Sequence, residues 1–382
     1  MSRKKILKSI SIILFIFAIG VIASFFAEHY IFPWLSSTKL FNKYQILKKA
    51  GENVTIINKT EQVTVREEDS VSTIASKALP AMVNIISIAN ETSPVKNAMA
   101  GKSGTGIIAT GDGMIIAYSE SILKDASKYV VITNDGSKYE GKLIGIDDFS
   151  DLAFLKIELT NLSVISFADS SDFRPGKKLV AISNSAEEYQ NKFEAGLLSG
   201  INKTFNIGGK TVSSSEKMEG VLELDFGHMT DFVGSAVINY NGELAGIIGR
   251  EIIDNKDEYF LLPSSSVKQA LERSIKNGAS QRPFLGLYYL PVTTQFSIVN
   301  NLGRDRGALI YSPSGKKGLA IISGTPAERA GLEIDDIIIA VNGREINLDN
   351  PLSNAISEYK AGDELEFLID RSGREMNIKV KL

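Results

Sequence analysis

Apolar positions fall into three regimes along the chain. Ser9 to Ala27 is a run of 19 residues without a charge. As a helix rising 1.5 Å per residue it spans about 28 Å, the thickness of a bilayer's hydrocarbon core. Residues 28–69 are polar and rich in Lys, Asn, Glu and Thr, with one short alternating stretch at Val54 to Ile57, and read as a stalk. From Ser70 a brief helical pattern over Val71 to Leu79, stopped by Pro80, gives way to short β runs. These are Met82 to Ile88, Gly106 to Ala109, Met114 to Tyr118, Tyr129 to Thr133, Tyr139 to Ile146, Ala153 to Ile157, Lys178 to Ser183 and Gly196 to Ile201. Asp112-Gly113, Asp135-Gly136 and Asn241-Gly242 supply hairpin turns between runs. Many short strands at this spacing predict a barrel or sandwich. A helical pattern from Ser266 to Lys276 stops at Asn277-Gly278 and closes this unit, residues 70–278. A second unit, residues 281–382, opens at Gln281-Arg282-Pro283.

Charge orients the first regime. Arg3, Lys4, Lys5 and Lys8 precede the apolar run, so residues 1–8 form a cytoplasmic basic tail and 9–27 a single membrane-spanning helix. Everything beyond it is then extracytoplasmic on a single-pass cell-membrane protein. Tyr30, Phe32 and Trp34 follow at the depth aromatic rings favour. A signal peptide cleaved after Val21-Ile22-Ala23 is the alternative, although the apolar run exceeds the usual signal core of about 7–15 residues.

The bulk composition narrows the function classes. A chain of 382 residues accommodates an anchor and two folded units. A net charge of -3 with no basic cluster beyond the N-terminus excludes a nucleic-acid partner. Zero cysteines exclude disulfides, thiolate metal sites and a cysteine nucleophile. The chain holds only two histidines, His29 and His228. No pattern points to a cofactor or a metal.

Three segments of the first unit carry a resemblance. Gly104-Thr105-Gly106-Ile107-Ile108 followed by Gly113-Met114-Ile115-Ile116 resembles the strand pair that leads into the catalytic histidine of the HtrA family, the DegP- and DegS-like proteases. Asp147 to Ile157 (DDFSDLAFLKI) is very similar to that family's catalytic-aspartate segment, with Asp151 at the aspartate position. Ile238 to Ile247 (INYNGELAGI) resembles the hairpin after the nucleophile loop. The resemblance implies a mainly β chain: a trypsin-like double β-barrel followed by an α+β PDZ domain, preceded by the single transmembrane helix.

The same resemblance implies that the catalytic set is degenerate. Serine-protease chemistry needs an imidazole to take the serine proton and return it to the leaving group, with a carboxylate orienting the ring. Counting from Gly113 puts Glu120 at the histidine position, and a carboxylate there would set two like charges side by side with Asp151. The family's Gly-Asn-Ser-Gly-Gly-Pro aligns with Asp231-Phe232-Val233-Gly234-Ser235-Ala236, so Val233 takes the serine position and the oxyanion hole changes too. Two alternatives remain open. Ser235 with His228 as base needs a two-residue slip of the hairpin register. Glu120 with Asp151 as an acid/base pair or metal site has no supporting ligand pattern nearby.

In the second unit Phe284-Leu285-Gly286-Leu287 resembles the carboxylate-binding loop of PDZ domains, where backbone N–H groups meet a peptide's C-terminus. Ser323 to Leu332 (SGTPAERAGL) and Asp335 to Gly343 (DDIIIAVNG) are very close to the helix and strand-turn of HtrA-type PDZ domains. The resemblance implies that a peptide adds as a strand beside Leu287 and Tyr289, its last side chain against a helix bearing Leu352 and Ile356. Pro291 to Ser314 is long for a connection and is placed to cover or shape that groove.

The expected function is therefore a membrane-anchored pseudoprotease that binds peptide or protein C-termini, or misfolded extracytoplasmic proteins, in quality control or scaffolding. A serine endopeptidase with a non-standard site is one alternative. An assembly scaffold for active relatives, as a homo-trimer or hetero-oligomer, is the other.

Overall fold

The computed structural model describes residues 3–31, 67–89, 101–185, 190–208, 212–253, 255–277, 282–315 and 320–382. Most of the expected stalk, with its Val54 to Ile57 stretch, lies outside these residues, as do Phe32 and Trp34. The N-terminal unit is a helix, Arg3–Phe26, whose helical backbone continues to Ile31. Its side chains from Ile12 to Phe26 are exposed.

The larger unit begins with the helix Glu67–Ala78 and a tight turn through Pro80, one turn earlier than the sequence pattern suggested. Six strands follow: β1 Met82–Ile88, β2 Gly101–Ile108, β3 Met114–Tyr118, β4 Lys128–Thr133, β5 Lys138–Asp147 and β6 Leu152–Lys156. All pair antiparallel and close in the order β1-β2-β3-β6-β5-β4. Gly113 sits at φ +95 in the β2–β3 turn, where a Cβ would strike the Ile157 carbonyl, so the expected Asp112-Gly113 turn requires glycine.

A second closed barrel follows from β7 Lys178–Ser185, β8 Gln190–Asn206, β10 Glu219–Asp225, β11 Ala236–Asn239, β12 Leu244–Ile253 and β13 Lys256–Pro263, with the two-residue β9 Ser213–Ser214 left outside it. The run expected over Gly196 to Ile201 is the middle of the 17-residue β8. In the Asn241-Gly242 hairpin, the Asn239 Oδ1 accepts the N–H groups of Asn241 and Glu243 at 2.9 and 3.0 Å.

Both faces of several strands are buried. Val83, Ile85, Ile115, Ala117 and Leu155 fill the first barrel, while Met82, Ile107, Ile116 and Phe154 face outward onto Val180, Ile182, Ile238 and Leu262 of the second. Such strands read as continuous apolar runs because no face meets water. The helix Ser264–Asn277 lies on this shared core through Val267, Ala270 and Leu271.

The last region is the expected α+β unit. Strands β14 Tyr288–Pro291, β15 Ala308–Ile310, β16 Ile337–Val341, β17 Arg344–Glu345, β18 Glu364–Arg371 and β19 Arg374–Lys381 form an antiparallel sheet with the short helices Pro326–Arg329 and Leu352–Ile356. Strand β9 joins this sheet beside β14, pairing Ser214 with Tyr288 and Ser213 with Tyr289. Within Pro291 to Ser314 the helix Thr294–Asn300 sets Phe296 against Leu309 and Ile337. Leu309 points away from its neighbours Ala308 and Ile310, which enter the main core, so this insertion packs on the opposite sheet face and does not cover the groove.

Two polar clusters fix this region to the barrels. Asp147, buried at the end of β5, receives the fork of Arg282 at 2.6 and 2.7 Å and lies 3.5 Å from Arg273. The Ser150 hydroxyl donates to the same carboxylate at 2.8 Å, and the Arg282 guanidinium covers the Phe149 ring at 3.9 Å. Burial, reinforced by repulsion from Arg282, lowers the Arg273 pKa to about 10. The second cluster is Glu219, whose Oε2 accepts the Tyr289 hydroxyl at 2.9 Å and whose backbone pairs with the Asn354 amide at 3.2 and 2.9 Å.

Burial pushes the Glu219 carboxyl up to about 7 from an ordinary 4.5. Its contribution to stability is full below pH 4.5 and is lost as pH rises through about 7, because the folded protein must then ionise a buried group. Glu219→Gln, which cannot ionise, is expected to gain about 2.5 kcal/mol relative to the parent as pH rises from 5 to 8. Chemical unfolding of both proteins at the two pH values checks this, and a constant difference contradicts it.

Candidate functional site

The junction between the barrels gathers three of the segments that the sequence singled out. After β3 ends at Tyr118, Ser119–Ser121 make one tight helical turn. The Ser119 N–H donates to the Asp151 carbonyl at 2.8 Å, and the next residue, Leu152, pairs with Tyr118. Asp151 holds a left-handed φ of 52. From the second barrel, the turn Met229–Phe232 leads through Val233 to Gly234, whose φ is +80. A Cβ on Gly234 would collide with the Ser121 hydroxyl and meet the Tyr118 Cβ at 3.3 Å.

Glu120 and Asp151 do not form a bare carboxylate pair; each has its own cation. Glu120 takes the Arg250 guanidinium in a two-pronged contact, and Arg250 also lies 3.6 Å from Asp257. Asp151 binds the Lys217 ammonium at 2.9 Å. The expected clash of like charges is thus relieved by Arg250 on β12 and Lys217 before β10. Burial still raises the Asp151 pKa, outweighing the attraction of Lys217. Tyr118 bridges the barrels: its hydroxyl donates to the Arg250 carbonyl at 2.9 Å and accepts the Arg250 N–H at 3.2 Å. Burial, then the nearby Asp151 and Glu120 charges, push its phenol well above its ordinary range.

Around Val233 the backbone turns inward. The Asp231 N–H donates to the His228 carbonyl at 3.0 Å, and Phe232 is buried in the second barrel's core. Val233 is half-buried and packs against the shared core. Ser235 is completely buried, and its hydroxyl finds no hydrogen-bond partner among the described residues. His228 is 80% exposed, its Nδ1 3.5 Å from Glu194, and no hydrogen bond joins it to Ser235. Among the described residues, no cluster of His, Asp and Glu is arranged to hold a metal.

The second candidate site lies along β14. Gly286, at φ +82, leaves no room for a Cβ beside Thr325. The N–H groups of Leu285 and Gly286 point at Glu216 Oε1, at 3.1 and 2.9 Å. Leu287 donates to the Ser215 hydroxyl at 2.9 Å and accepts the Ser215 N–H at 2.9 Å. A cavity of about 300 Å³ adjoins this loop, lined by Phe149, Glu216, Arg282, Phe284, Ser353 and Ile356 among others. Of the residues nominated from sequence, Phe284 and Ile356 line it. Leu285, Leu287, Tyr289 and Leu352 are buried with their side chains in the core, because strand and helix both turn those positions inward. Of these, Leu285 and Leu287 offer backbone groups to the site, and Leu352 is not part of it.

Comparison with known proteins fits this geometry. A trypsin-like peptidase domain model matches residues 104–247 and a PDZ domain model residues 295–382, starting beyond the 284–287 loop. The chain is 31% identical over 293 residues to the serine protease Do-like HtrA of Bacillus subtilis, covering 73% of this chain and 63% of that protein. The chain belongs to the HtrA family. A probable periplasmic DegP-like serine endoprotease of Bartonella henselae is also 31% identical, over 73% of this chain and 52% of its own length. The chain thus spans about half to two thirds of the length of these HtrA relatives. Among solved structures, the HtrA-type protease AlgW with a tripeptide superposes with a TM-score of 0.63 at 21% identity, covering 81% of this chain and 96% of the other. The same protease with a decapeptide gives 0.60 at 20% identity, covering 81% and 97%.

Sequence reasoning did not find Tyr118, Arg250, Lys217, Ser215, Glu216 or Arg282. Each is an ordinary polar residue locally, and each acts through a partner 66 or more positions away, which no short motif encodes. The Lys217–Asp151 pair yields a direct expectation. In Lys217→Met, the Asp151 carboxyl loses the one neighbouring cation in contact with it and titrates at higher pH than in the parent. Carboxyl-detected NMR titration reads this shift, and an unchanged or lower value contradicts it.

Proposed function

We propose that this HtrA-family chain is a membrane-anchored pseudoprotease whose PDZ domain captures the C-termini of peptides or misfolded proteins outside the cytoplasmic membrane. One observation carries the loss of catalysis: the chain has two histidines, one in the last turn of the N-terminal helix and one exposed on a loop, and Glu120 occupies the position the family gives to its base. Glu120 is engaged by Arg250, and a carboxylate held in an ion pair cannot relay a proton from serine to a leaving amine. The side chain at the nucleophile position, Val233, has no nucleophilic atom. The Asp231 N–H, which the family would turn toward an oxyanion, is engaged by the His228 carbonyl. Ser235, the remaining serine of the loop, is fully buried.

Anchoring is supported by the apolar stretch Ser11–Ile31, long enough to cross a bilayer, and by the four basic residues before it, which keep the N-terminus cytoplasmic. Several relatives are described as periplasmic proteases. The peptide-capture part draws on the PDZ fold, on the N–H groups of the 285–287 loop and on the adjoining cavity, whose lining mixes apolar residues such as Phe284 and Ile356 with polar and charged ones.

A fluorophosphonate probe is expected to leave the full chain unlabelled, and labelling that disappears in Ser235→Ala would overturn the pseudoprotease reading. Peptides with a free C-terminal carboxylate are expected to bind the full chain at least tenfold more tightly than their C-terminal amides in fluorescence polarisation. Equal binding of the two would refute carboxylate capture.

A further inference from the structure

The groove proposed above already has an occupant. A peptide joining β14 as a strand needs the N–H groups of Leu285, Gly286 and Leu287 and the carbonyl of Leu287. All four are engaged by residues of the segment that precedes β10. Glu216 presents its carboxylate to Leu285 and Gly286 at 3.1 and 2.9 Å. Ser215 exchanges hydrogen bonds with both backbone groups of Leu287 at 2.9 Å. Ser213 and Ser214 extend the pairing along Tyr288 and Tyr289 in antiparallel register. The cavity for a terminal side chain stays open beside them, lined by Phe284 and Ile356.

We infer that Ser213–Glu216 is a built-in pseudo-ligand, with the Glu216 carboxylate standing in for a peptide's C-terminal carboxylate, so that an external C-terminus binds only by displacing it. The regulation rests on the peptide-capture reading; the occupancy itself does not. A carboxylate on two backbone N–H groups makes charge-assisted bonds, the same chemistry a free C-terminus would offer. Because it belongs to the same chain, it docks as an intramolecular ligand, against which an external peptide must compete. The apparent affinity for an external peptide falls by the fraction of molecules whose groove is free.

The occupant is also tethered to the barrels. The Asn206 amide donates to the carbonyls of Ser214 and Lys217 at 3.2 and 3.0 Å, and the Met218 N–H donates to the Phe149 carbonyl at 3.0 Å. Lys217, next to Glu216, holds Asp151 at the barrel junction. Displacement therefore pulls on a segment that ends at the degenerate catalytic position, and the groove and the junction share one strand of chain.

The test uses the full chain in detergent micelles, with Glu216→Ala and the shape-preserving Glu216→Gln. An array of heptapeptides with free C-terminal carboxylates, randomised at the last three positions, is read alongside backbone amide exchange over residues 284–288. The inference predicts slow exchange there in the parent without peptide, at least tenfold faster exchange in Glu216→Ala, and at least tenfold tighter array binding by both variants. Unchanged exchange with equal binding by parent and variants overturns self-occupancy and leaves peptide capture standing. Accelerated exchange with no binding by any protein supports self-occupancy and overturns peptide capture. Fast exchange over 284–288 in the parent overturns the inference without any variant.

Discussion

The buried carboxylate of Asp147 is the constraint on which the two halves of the large unit depend. It sits at the end of a barrel strand, and the two guanidinium groups that surround it come from the helix and the linker that lead into the PDZ domain. A buried charge without partners costs several kcal/mol, so the linker has one favourable course, past Phe149 and along the barrel. That course brings β14 to within strand-pairing distance of Ser213–Ser214, and it sets Glu219 beneath Tyr289. The groove, its occupant and the barrel junction are neighbours because Asp147 holds Arg282.

The junction is where the two barrels are fastened to each other. In the family it resembles, this place holds an imidazole between a carboxylate and a serine hydroxyl. Here each carboxylate has been given a permanent cation, Arg250 for Glu120 and Lys217 for Asp151, and the space by Gly234 is filled by Ser121. A proton shuttle needs a group that changes protonation near neutral pH and touches both reactants. The ion pairs and the packing of Val233 attach the barrels to each other, and Tyr118 adds a hydroxyl that bonds across them.

Much of this was legible in the sequence where the information is local. The strands Met82–Ile88 and Met114–Tyr118 were read to the residue, because Pro80 and Gly113 mark where they begin and no charge interrupts them. The helix before the PDZ domain was found from its terminal Asn277-Gly278. The positions put forward for base and nucleophile rest on neighbouring motifs that count off to them. Partners remote in sequence were not readable. Nothing around Ser215-Glu216 marks it as the mate of residues 285–287, some seventy positions on, and Leu352 was taken for a groove residue because helical spacing alone does not say which face meets the core. The insertion at 291–314 misled for the same reason: its length suggested a cover, whereas the alternation of β15 turns Leu309 to the other face of the sheet.

Holding a polypeptide without cleaving it is the central claim, and an unfolded substrate tests it most directly. Reduced, permanently unfolded casein incubated with the full chain at neutral pH, then weighed by intact-mass spectrometry, is expected to be recovered at its original mass after many hours. Casein fragments that accumulate with time, and that vanish when Ser235 is replaced by alanine, would contradict the account.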